Sequence, residues 1–365
     1  MSRRSAAVRL ARAWQSGRTP GPRPLLAVLS GGYRGLVGVR HWLYDRHLLR
    51  SRALRCPVVS VGNLTVGGTG KTPAVELAVR TLAELGYRCA VVSRGYRRKS
   101  SGIQVVADTA AIRLEPEDAG DEPFLLARRL PGVPVVVGSN RFDAASVAVE
   151  RFGATAIVLD DGFQHRTLRK DLEIVMARAR RPWGNGRLLP GGPLREPMSA
   201  LARAHLVVAT GAARVGDADE VAEAVRQHAP GRPVLAARYA AVECWEAARL
   251  APVALSDLRG ARVAAFAGIA APGALRATLE DLGAAVARLT AFSDHHWYSP
   301  ADLEALDARA GELNVDAIVT TEKDWVRLRR LPATRRPLYA LSIKLELLGG
   351  EAEWRKAFEA ACLQR

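Results

Sequence analysis

The stretch from Cys56 to Pro73, C-P-V-V-S-V-G-N-L-T-V-G-G-T-G-K-T-P, constrains the fold of this chain more than any other. Three valines within residues 58–61 give the signal of a short buried strand, and residues 74–85 carry apolar residues at helical spacing. A strand, a glycine-rich turn, Gly-Lys-Thr and a helix, in that order, are the parts of a phosphate-binding P-loop. The stretch therefore predicts a nucleotide site, with a glycine-rich turn that binds nothing as the alternative.

The chemistry of a P-loop explains this spacing. Glycines let successive backbone N–H groups turn toward phosphate oxygens, and the following helix adds the positive end of its dipole. Lys71 can reach the β- and γ-phosphates, and the Thr72 hydroxyl can bind magnesium. Thr65 departs from the usual pattern, which has glycine five residues before Gly70. The expected nucleotide-binding residues are Thr65, Val66, Gly67, Gly68, Thr69, Gly70, Lys71 and Thr72.

A second element accompanies the P-loop further along the chain. Residues 154–166 read A-T-A-I-V-L-D-D-G-F-Q-H-R, an apolar strand that ends in Asp160 and Asp161. A carboxylate at the carboxyl end of such a strand can hold magnesium beside a P-loop, across the crevice of an open α/β sheet. Either aspartate can do so together with Thr72, and a surface Asp-Asp turn is the alternative.

Strand and helix patterns alternate along most of the chain, which predicts parallel sheets with helices on both faces. A length of 365 residues suggests two domains at ~150 residues each. We predict a P-loop NTPase-like α/β domain over 51–230, linker strands over 231–256 and a smaller second α/β domain over 257–365. Residues 1–27, rich in Arg, Pro and Gly, are expected to form a loosely structured lead-in.

Residues 28–50 are predicted to form an amphipathic helix. Its apolar arc would contain Tyr33, Leu36, Val37, Leu43, Tyr44 and Leu48. Tyr, Trp and Arg beside an apolar stripe suit a membrane interface, whereas a helix packed against the core is the alternative. The net charge of +16 fits an anionic membrane, a phosphorylated substrate or nucleic acid. Nucleic acid ranks below a membrane, because no aromatic residues alternate with basic ones to form a stacking platform.

Composition narrows the class of protein further. The chain is 48% hydrophobic and 25% charged, as in ordinary globular proteins with a sizeable core. No run of about 18 apolar residues occurs, so no transmembrane helix is expected. The four cysteines are scattered without a C-x-x-C pair, which favours a reducing cytoplasm and no structural zinc.

Three more polar segments are open to a functional or a plain structural interpretation. G-D-E-P at 120–123 opens a predicted helix, where capping and dipole compensation explain acidic residues. His295 and His296 lie in F-S-D-H-H-W-Y and are either ordinary loop histidines or metal ligands. The loop R-G-Y-R-R-K at 94–99 is either a solvated basic face or an anion site.

Seven motifs occur in one order: V-G-N-L-T-V-G-G-T-G-K-T-P, S-R-G-Y-R-R-K, G-D-E-P, L-D-D-G-F-Q-H, L-L-P-G-G-P-L-R-E-P, F-S-D-H-H-W-Y and T-T-E-K-D. With this combination the chain resembles the tetraacyldisaccharide 4'-kinases, the lipid A 4'-kinases of Gram-negative bacteria. The resemblance runs from about Tyr33 to near the C-terminus. It departs at A-G-I-A-A-P-G, where the family commonly has A-G-I-G-N-P, so Ala270 and Ala271 lack that turn's polar side chain.

The resemblance implies an enzyme that transfers the ATP γ-phosphoryl group to the 4'-hydroxyl of a tetraacylated glucosamine disaccharide 1-phosphate, with Mg²⁺. Its partners would be this lipid A precursor and the anionic surface of the inner membrane, with no nucleic acid, and a monomer is expected. Because the acyl chains stay in the bilayer, the enzyme would be peripheral on the cytoplasmic face. The membrane interpretation of residues 28–50 gains support accordingly.

The resemblance also implies residue roles. Lys71 and Arg195 would neutralise charge on the moving phosphoryl group, and Glu196 would support the metal. Asp121 and His295 would accept the proton of the sugar hydroxyl, and would meet when the cleft between the two domains closes. The candidate substrate-binding residues are Arg94, Tyr96, Asn140, Arg141, Gln164 and His165.

Two alternatives come from other functional classes. A P-loop NTPase acting as a switch or metal-delivery protein would hydrolyse nucleotide without lipid and would want a Cys-rich or His-rich metal path, which the sequence lacks. A nucleic-acid-binding ATPase would show salt-sensitive binding to DNA or RNA. No recognisable nucleic-acid-binding module supports that second alternative.

Overall fold

One mixed sheet runs through the protein. The computed structural model describes residues 23–328 and 334–363, so most of the predicted lead-in, residues 1–22, lies outside the described residues. The strands are β1 Val58–Gly62, β2 Cys89–Ser93, β3 Gln104–Ala107, β4 Val135–Val137, β5 Ala156–Asp160, β6 Leu172–Arg178, β7 Leu206–Thr210, β8 Val234–Glu246, β9 Ala251–Val253, β10 Arg262–Ala267, β11 Ala285–Ala291, β12 Ala317–Thr321 and β13 Leu338–Leu347. Their order is β11-β10-β12-β13-β8-β7-β6-β1-β5-β2-β4-β3, with β9 beside β8.

Helices pack on both faces of this sheet. They are α1 Arg23–Asp45, α2 Lys71–Glu84, α3 Pro116–Ala119, α4 Asp121–Arg129, α5 Arg141–Phe152, α6 Asp219–His228, α7 Gly273–Asp281, α8 Pro300–Glu312, α9 Glu322–Trp325 and α10 Glu351–Leu363. Val59 of β1 shares a buried cluster with α2, whereas its neighbour Val58 shares another with α5. Alternating side chains of one strand thus face opposite layers. The predicted α/β fold class is confirmed.

The predicted linker strands correspond to β8 and β9. The first residues of β8 pair in parallel with β7, and the rest pair antiparallel with β13. This second pairing is interrupted by a β-bulge near Val242, opposite the step from Ser342 to Ile343. The residues predicted to link two domains, 231–256, therefore contain strands of one continuous sheet.

Helix α1 begins and ends five residues earlier than predicted, at Arg23 and Asp45. Pro24 is tolerated in a first turn, where the missing N–H would have no helical partner. The helix ends because His47 has a left-handed backbone, with φ of 57°. Among the described residues, no helix has the length and apolarity needed to span a bilayer.

The predicted apolar arc of this helix is wrong, because it combines two faces. Tyr44 is buried against the protein and Tyr33 is partly buried, whereas Leu36 is 73% exposed. Leu48 lies beyond the helix end and is exposed. The outward face instead carries a stripe of exposed apolar side chains, Leu25, Val28, Leu29, Leu36, Val39 and Trp42.

Candidate active site

The P-loop forms as predicted between β1, which ends at Gly62, and α2, which begins at Lys71. Gly70 precedes the helix with φ of 76°, in the left-handed region that favours glycine, and a side chain there would collide with Tyr239. No side chain caps the start of α2, so its first-turn N–H groups suit an anion.

A neighbouring segment supports the P-loop at its unusual threonine. Thr65 forms a backbone bridge with Leu194, and the Val66 N–H donates to the Pro193 carbonyl at 2.8 Å. The loop is therefore fixed by pairing with residues 193–195, which brings Arg195 beside the phosphate site.

Two cations and two polar groups gather at the mouth of the loop. Arg195 donates from both terminal nitrogens to Asp161, each at 2.9 Å. Lys71 Nζ lies 3.6 Å from Asp161 Oδ1 and 3.4 Å from Asn63 Oδ1. Arg195 also donates to the Asn63 carbonyl at 2.8 Å. Sequence reasoning missed Asn63, since nothing in its immediate neighbours shows that both cations reach it.

The two adjacent aspartates have different surroundings. Asp160 is 2% exposed, and Ser93 Oγ donates to its Oδ2 at 2.9 Å. Its buried Oδ1 has no hydrogen-bond partner among the described residues. Burial, followed by repulsion from Glu122 and Asp161, raises the pKa of Asp160 to about 7. Asp160 therefore has one buried carboxylate oxygen without a hydrogen-bond donor, and the surrounding side chains disfavour its negative charge.

Asp161 is instead held ionised. Burial alone would raise its pKa, but the charges of Lys71 and Arg195 lower it. Its backbone has φ of 53°, which turns the chain sharply just after β5. Because both oxygens of Asp161 accept from Arg195, the uncommitted oxygen of Asp160 is the better candidate for a cation.

A magnesium ion fits this donor set. Mg²⁺ in nucleotide sites usually has one or two protein carboxylates, with phosphates and waters completing its shell. Within residues 23–328 and 334–363, no group of three or more His, Cys, Asp or Glu side chains could hold a metal. Asp160 offers one carboxylate oxygen of the partial set expected for a metal bound together with a nucleotide, and Thr72 lies in the first turn of α2.

Asp121 and His295 are in contact. Asp121 begins α4, His295 follows β11, and Asp121 Oδ2 lies 2.7 Å from His295 Nδ1. Burial alone would raise the pKa of Asp121, but the hydrogen bond from His295 and the charge of Lys323 lower it. An ionised Asp121 accepts from Nδ1–H, which leaves Nε2 as the basic nitrogen of the ring.

Lys323 and Arg327 hold this pair from the side of β12. Lys323 Nζ forms an ion pair with Glu122 Oε1 at 2.7 Å, and Arg327 Nη1 lies 3.8 Å from Asp121 Oδ2. Burial opposes the charge of Lys323, but Glu122 and Asp121 raise its pKa. Lys323 belongs to the motif T-T-E-K-D, which was identified in the sequence without a role being assigned to this lysine.

The structure brings Glu196 together with α1. Its Oε1 lies 3.1 Å from His41 Nε2, and its Oε2 lies 2.5 Å from Arg203 Nη2. Burial would raise the pKa of Glu196, but His41 and Arg203 lower it to about 2. Both oxygens have protein partners, so this geometry gives no support to the expectation that Glu196 supports the metal.

Two of the candidate substrate-binding residues, Arg94 and Tyr96, lie on the loop that follows β2 and are exposed. Tyr96 is exposed, and its ring lies edge-on to His295 with 5.9 Å between centroids. Arg94 precedes it on the same exposed loop. Tyr96 is therefore accessible to a ligand that reaches His295.

The other four candidates have structural partners. Asn140 caps α5, and Arg141 is buried with its guanidinium on the Gly138 and Ser139 carbonyls. Gln164 donates to the Asn63 carbonyl at 2.9 Å. His165 contacts Thr167, and burial with nearby cations lowers its pKa to about 4.

A P-loop, an adjacent aspartate pair and a carboxylate–imidazole pair define a P-loop phosphotransferase. Residues 22–363 match the family model for tetraacyldisaccharide-1-P 4'-kinase, LpxK. The chain belongs to this family. It is an ATP-dependent kinase of lipid A biosynthesis, as the motifs predict, and the switch or metal-delivery alternative is not favoured.

Individual relatives agree with the family model. The tetraacyldisaccharide 4'-kinase of Syntrophus aciditrophicus is 42% identical over 98% of this chain and 97% of its own length. That of Anaeromyxobacter sp. strain Fw109-5 is 46% identical over 95% of each chain. The crystal structure of Aquifex aeolicus LpxK in complex with ATP superposes with a TM-score of 0.72 at 30% identity, covering 93% of this chain and 99% of that one.

Proposed function

We propose that Asp121 and His295 accept the proton of the sugar 4'-hydroxyl while that oxygen attacks the γ-phosphorus of ATP. The O–H bond breaks toward His295 Nε2, a new O–P bond forms, and the bond to the β-phosphate oxygen breaks to release ADP. The 2.7 Å contact between Asp121 and His295 carries this proposal, because it orients the imidazole and stabilises its protonated form.

The cations at the P-loop bind and neutralise the phosphates in this proposal. Lys71 and the N–H groups at the start of α2 would bind the β- and γ-phosphates. Arg195, fixed between Asp161 and Asn63, stabilises charge on the moving phosphoryl group. Asp160 and Thr72 would hold Mg²⁺, which would neutralise negative charge shared by the β- and γ-phosphate oxygens.

We also propose that the outward stripe of α1 attaches the enzyme to the cytoplasmic face of the inner membrane. Leu36 and Val39 are among its exposed apolar side chains, on a helix that does not span a bilayer. An exposed apolar helix face can bury its side chains at the membrane interface, and a net charge of +16 favours an anionic surface. This attachment would bring the site to an acceptor whose acyl chains stay in the lipid.

Transfer of radiolabelled γ-phosphate tests the proposed function. We expect label on the disaccharide 1-phosphate in detergent micelles, and none on lipid lacking the disaccharide. A Lys71→Met variant should lose this transfer, because it removes the cation that contacts the phosphates. Folded protein that consumes ATP without ever labelling the glycolipid would contradict the proposal.

The membrane attachment has its own prediction. Replacing Leu25 and Leu36 together with serine should weaken binding to anionic vesicles by about 10–100-fold, because each side chain contributes roughly 1 kcal/mol or more when buried in lipid. Cosedimentation measures the affinity. Val215→Ser removes a similarly exposed apolar side chain elsewhere and should leave binding unchanged. Equal losses in the two proteins would contradict the assignment of α1.

A further inference from the structure

The inward face of α1 contacts the backbone of the phosphate site. Tyr33 Oη donates to the Arg195 carbonyl at 2.9 Å. On its other side, the Arg195 N–H donates to the Leu64 carbonyl, within the P-loop, at 2.7 Å. The peptide groups of Arg195 are thus held between α1 and the loop that binds nucleotide.

A second set of contacts joins the same helix to the same segment. His41 bonds the buried carboxylate of Glu196, which is 2% exposed and also paired with Arg203. Since Glu196 directly follows Arg195, its side chain fixes the chain just beyond the residue that Tyr33 holds. Leaving a buried carboxylate oxygen without its hydrogen-bond partner is costly, so the contact with His41 ties α1 to residue 196.

A third contact leads from α1 to Asn63. Arg40 Nη2 donates to the Gln164 carbonyl at 3.0 Å, and Gln164 Nε2 donates to the Asn63 carbonyl at 2.9 Å. Asn63 in turn accepts from the Arg195 guanidinium. Both the backbone and the side-chain partner of Arg195 are therefore connected to a helix whose other face is exposed and apolar.

We infer that Tyr33 is a positioning residue, through which the seated α1 directs the Arg195 guanidinium toward Asp161 and the phosphate site. The inference rests on the proposed role of Arg195. It gives α1 two functions on two faces, attachment outside and alignment of a phosphate-stabilising cation inside. Tyr33 itself contacts no reacting atom, so its effect must pass through Arg195.

A double-mutant cycle tests this inference in detergent micelles, where vesicle attachment does not contribute. Tyr33→Phe should lower kcat by about 5-fold, the effect of one lost hydrogen bond, with KM for ATP and vesicle affinity unchanged. In an Arg195→Ala background the same change should have no further effect on kcat. Tyr339→Phe, on β13, is the matched control and should keep wild-type kcat.

Different outcomes would contradict the positioning role of Tyr33 and the proposed role of Arg195. Normal kcat for Tyr33→Phe, or a 5-fold loss that persists without Arg195, overturns the positioning role. Normal kcat for Arg195→Ala overturns the role of Arg195 in the proposed function. His41→Leu provides a second variant, expected to lower kcat only when Arg195 is present, and thermal unfolding verifies that each protein is folded.

Discussion

Replacing Asp121 with asparagine should lower kcat by about 10²–10⁴-fold and leave KM for ATP close to the wild-type value. Asparagine has nearly the same shape, but it does not stabilise the imidazolium that forms when His295 takes a proton. Its amide can also present a donor to Nδ1, which favours the tautomer with the proton on Nε2. Phosphate transfer to the glycolipid, measured at saturating ATP, gives kcat.

The chain contains a matched control for this variant. Asp302 Oδ2 lies 3.2 Å from Nε2 of His296, so a second carboxylate–imidazole pair stands on the adjoining segment. Asp302→Asn should retain wild-type kcat, because the contacts of Asp302 are with His296 and with Ser299, where it helps to cap α8. If the two variants lose kcat equally, then disturbance of the loop, and not loss of a base, explains the effect.

Replacing Arg129 with methionine should lower the free energy of unfolding by about 3–5 kcal/mol. Arg129 donates to Glu322 at 2.7 Å, to Glu76 at 3.2 Å and to the Ile343 carbonyl at 2.8 Å. These contacts join α4 to α9, α2 and β13. Methionine preserves much of the volume but leaves the buried Glu322 carboxylate without its closest cation.

Two further variants distinguish this explanation from a general effect of losing an arginine. Arg80 also pairs with Glu76, but its side chain is 60% exposed. Arg80→Met should therefore lower the free energy of unfolding by less than about 1 kcal/mol. Adding Glu322→Gln to Arg129→Met should recover part of the loss, since it removes the uncompensated charge. Urea unfolding followed by fluorescence and circular dichroism gives the comparison. Equal costs for Arg80→Met and Arg129→Met would contradict the explanation.

The local sequence pattern was sufficient to predict the strand and the helix of the phosphate site. The predicted strand does end at Asp160, and the predicted helix does begin near Lys71, because periodicity and glycines within a few residues determine both. Pattern did not determine which face of α1 is buried. Its apolar residues occupy both faces, and hydrogen bonds from Tyr33 and His41 to residues far along the chain select the inward one.

Long-range charge pairing explains the rest of what the sequence did not reveal. Arg129 and Glu322 are 193 residues apart, and no local pattern indicates that they meet. The difference between Asp160 and Asp161 likewise depends on burial and on which cations reach each carboxylate. The resemblance implied the Asp121–His295 pair, whose contact is visible only once the sheet is assembled.

The bulge at Val242 has a mechanical consequence. Strand β8 bonds to β7 only through its first residues, and the bulge lies beyond that point, where β13 is its remaining long partner. A β-bulge bends its strand and increases the local right-handed twist, because the extra residue is left out of the ladder. Because β8 carries both pairings, the bulge sets the local twist between the strands that lead to the P-loop and the strands that lead to His295.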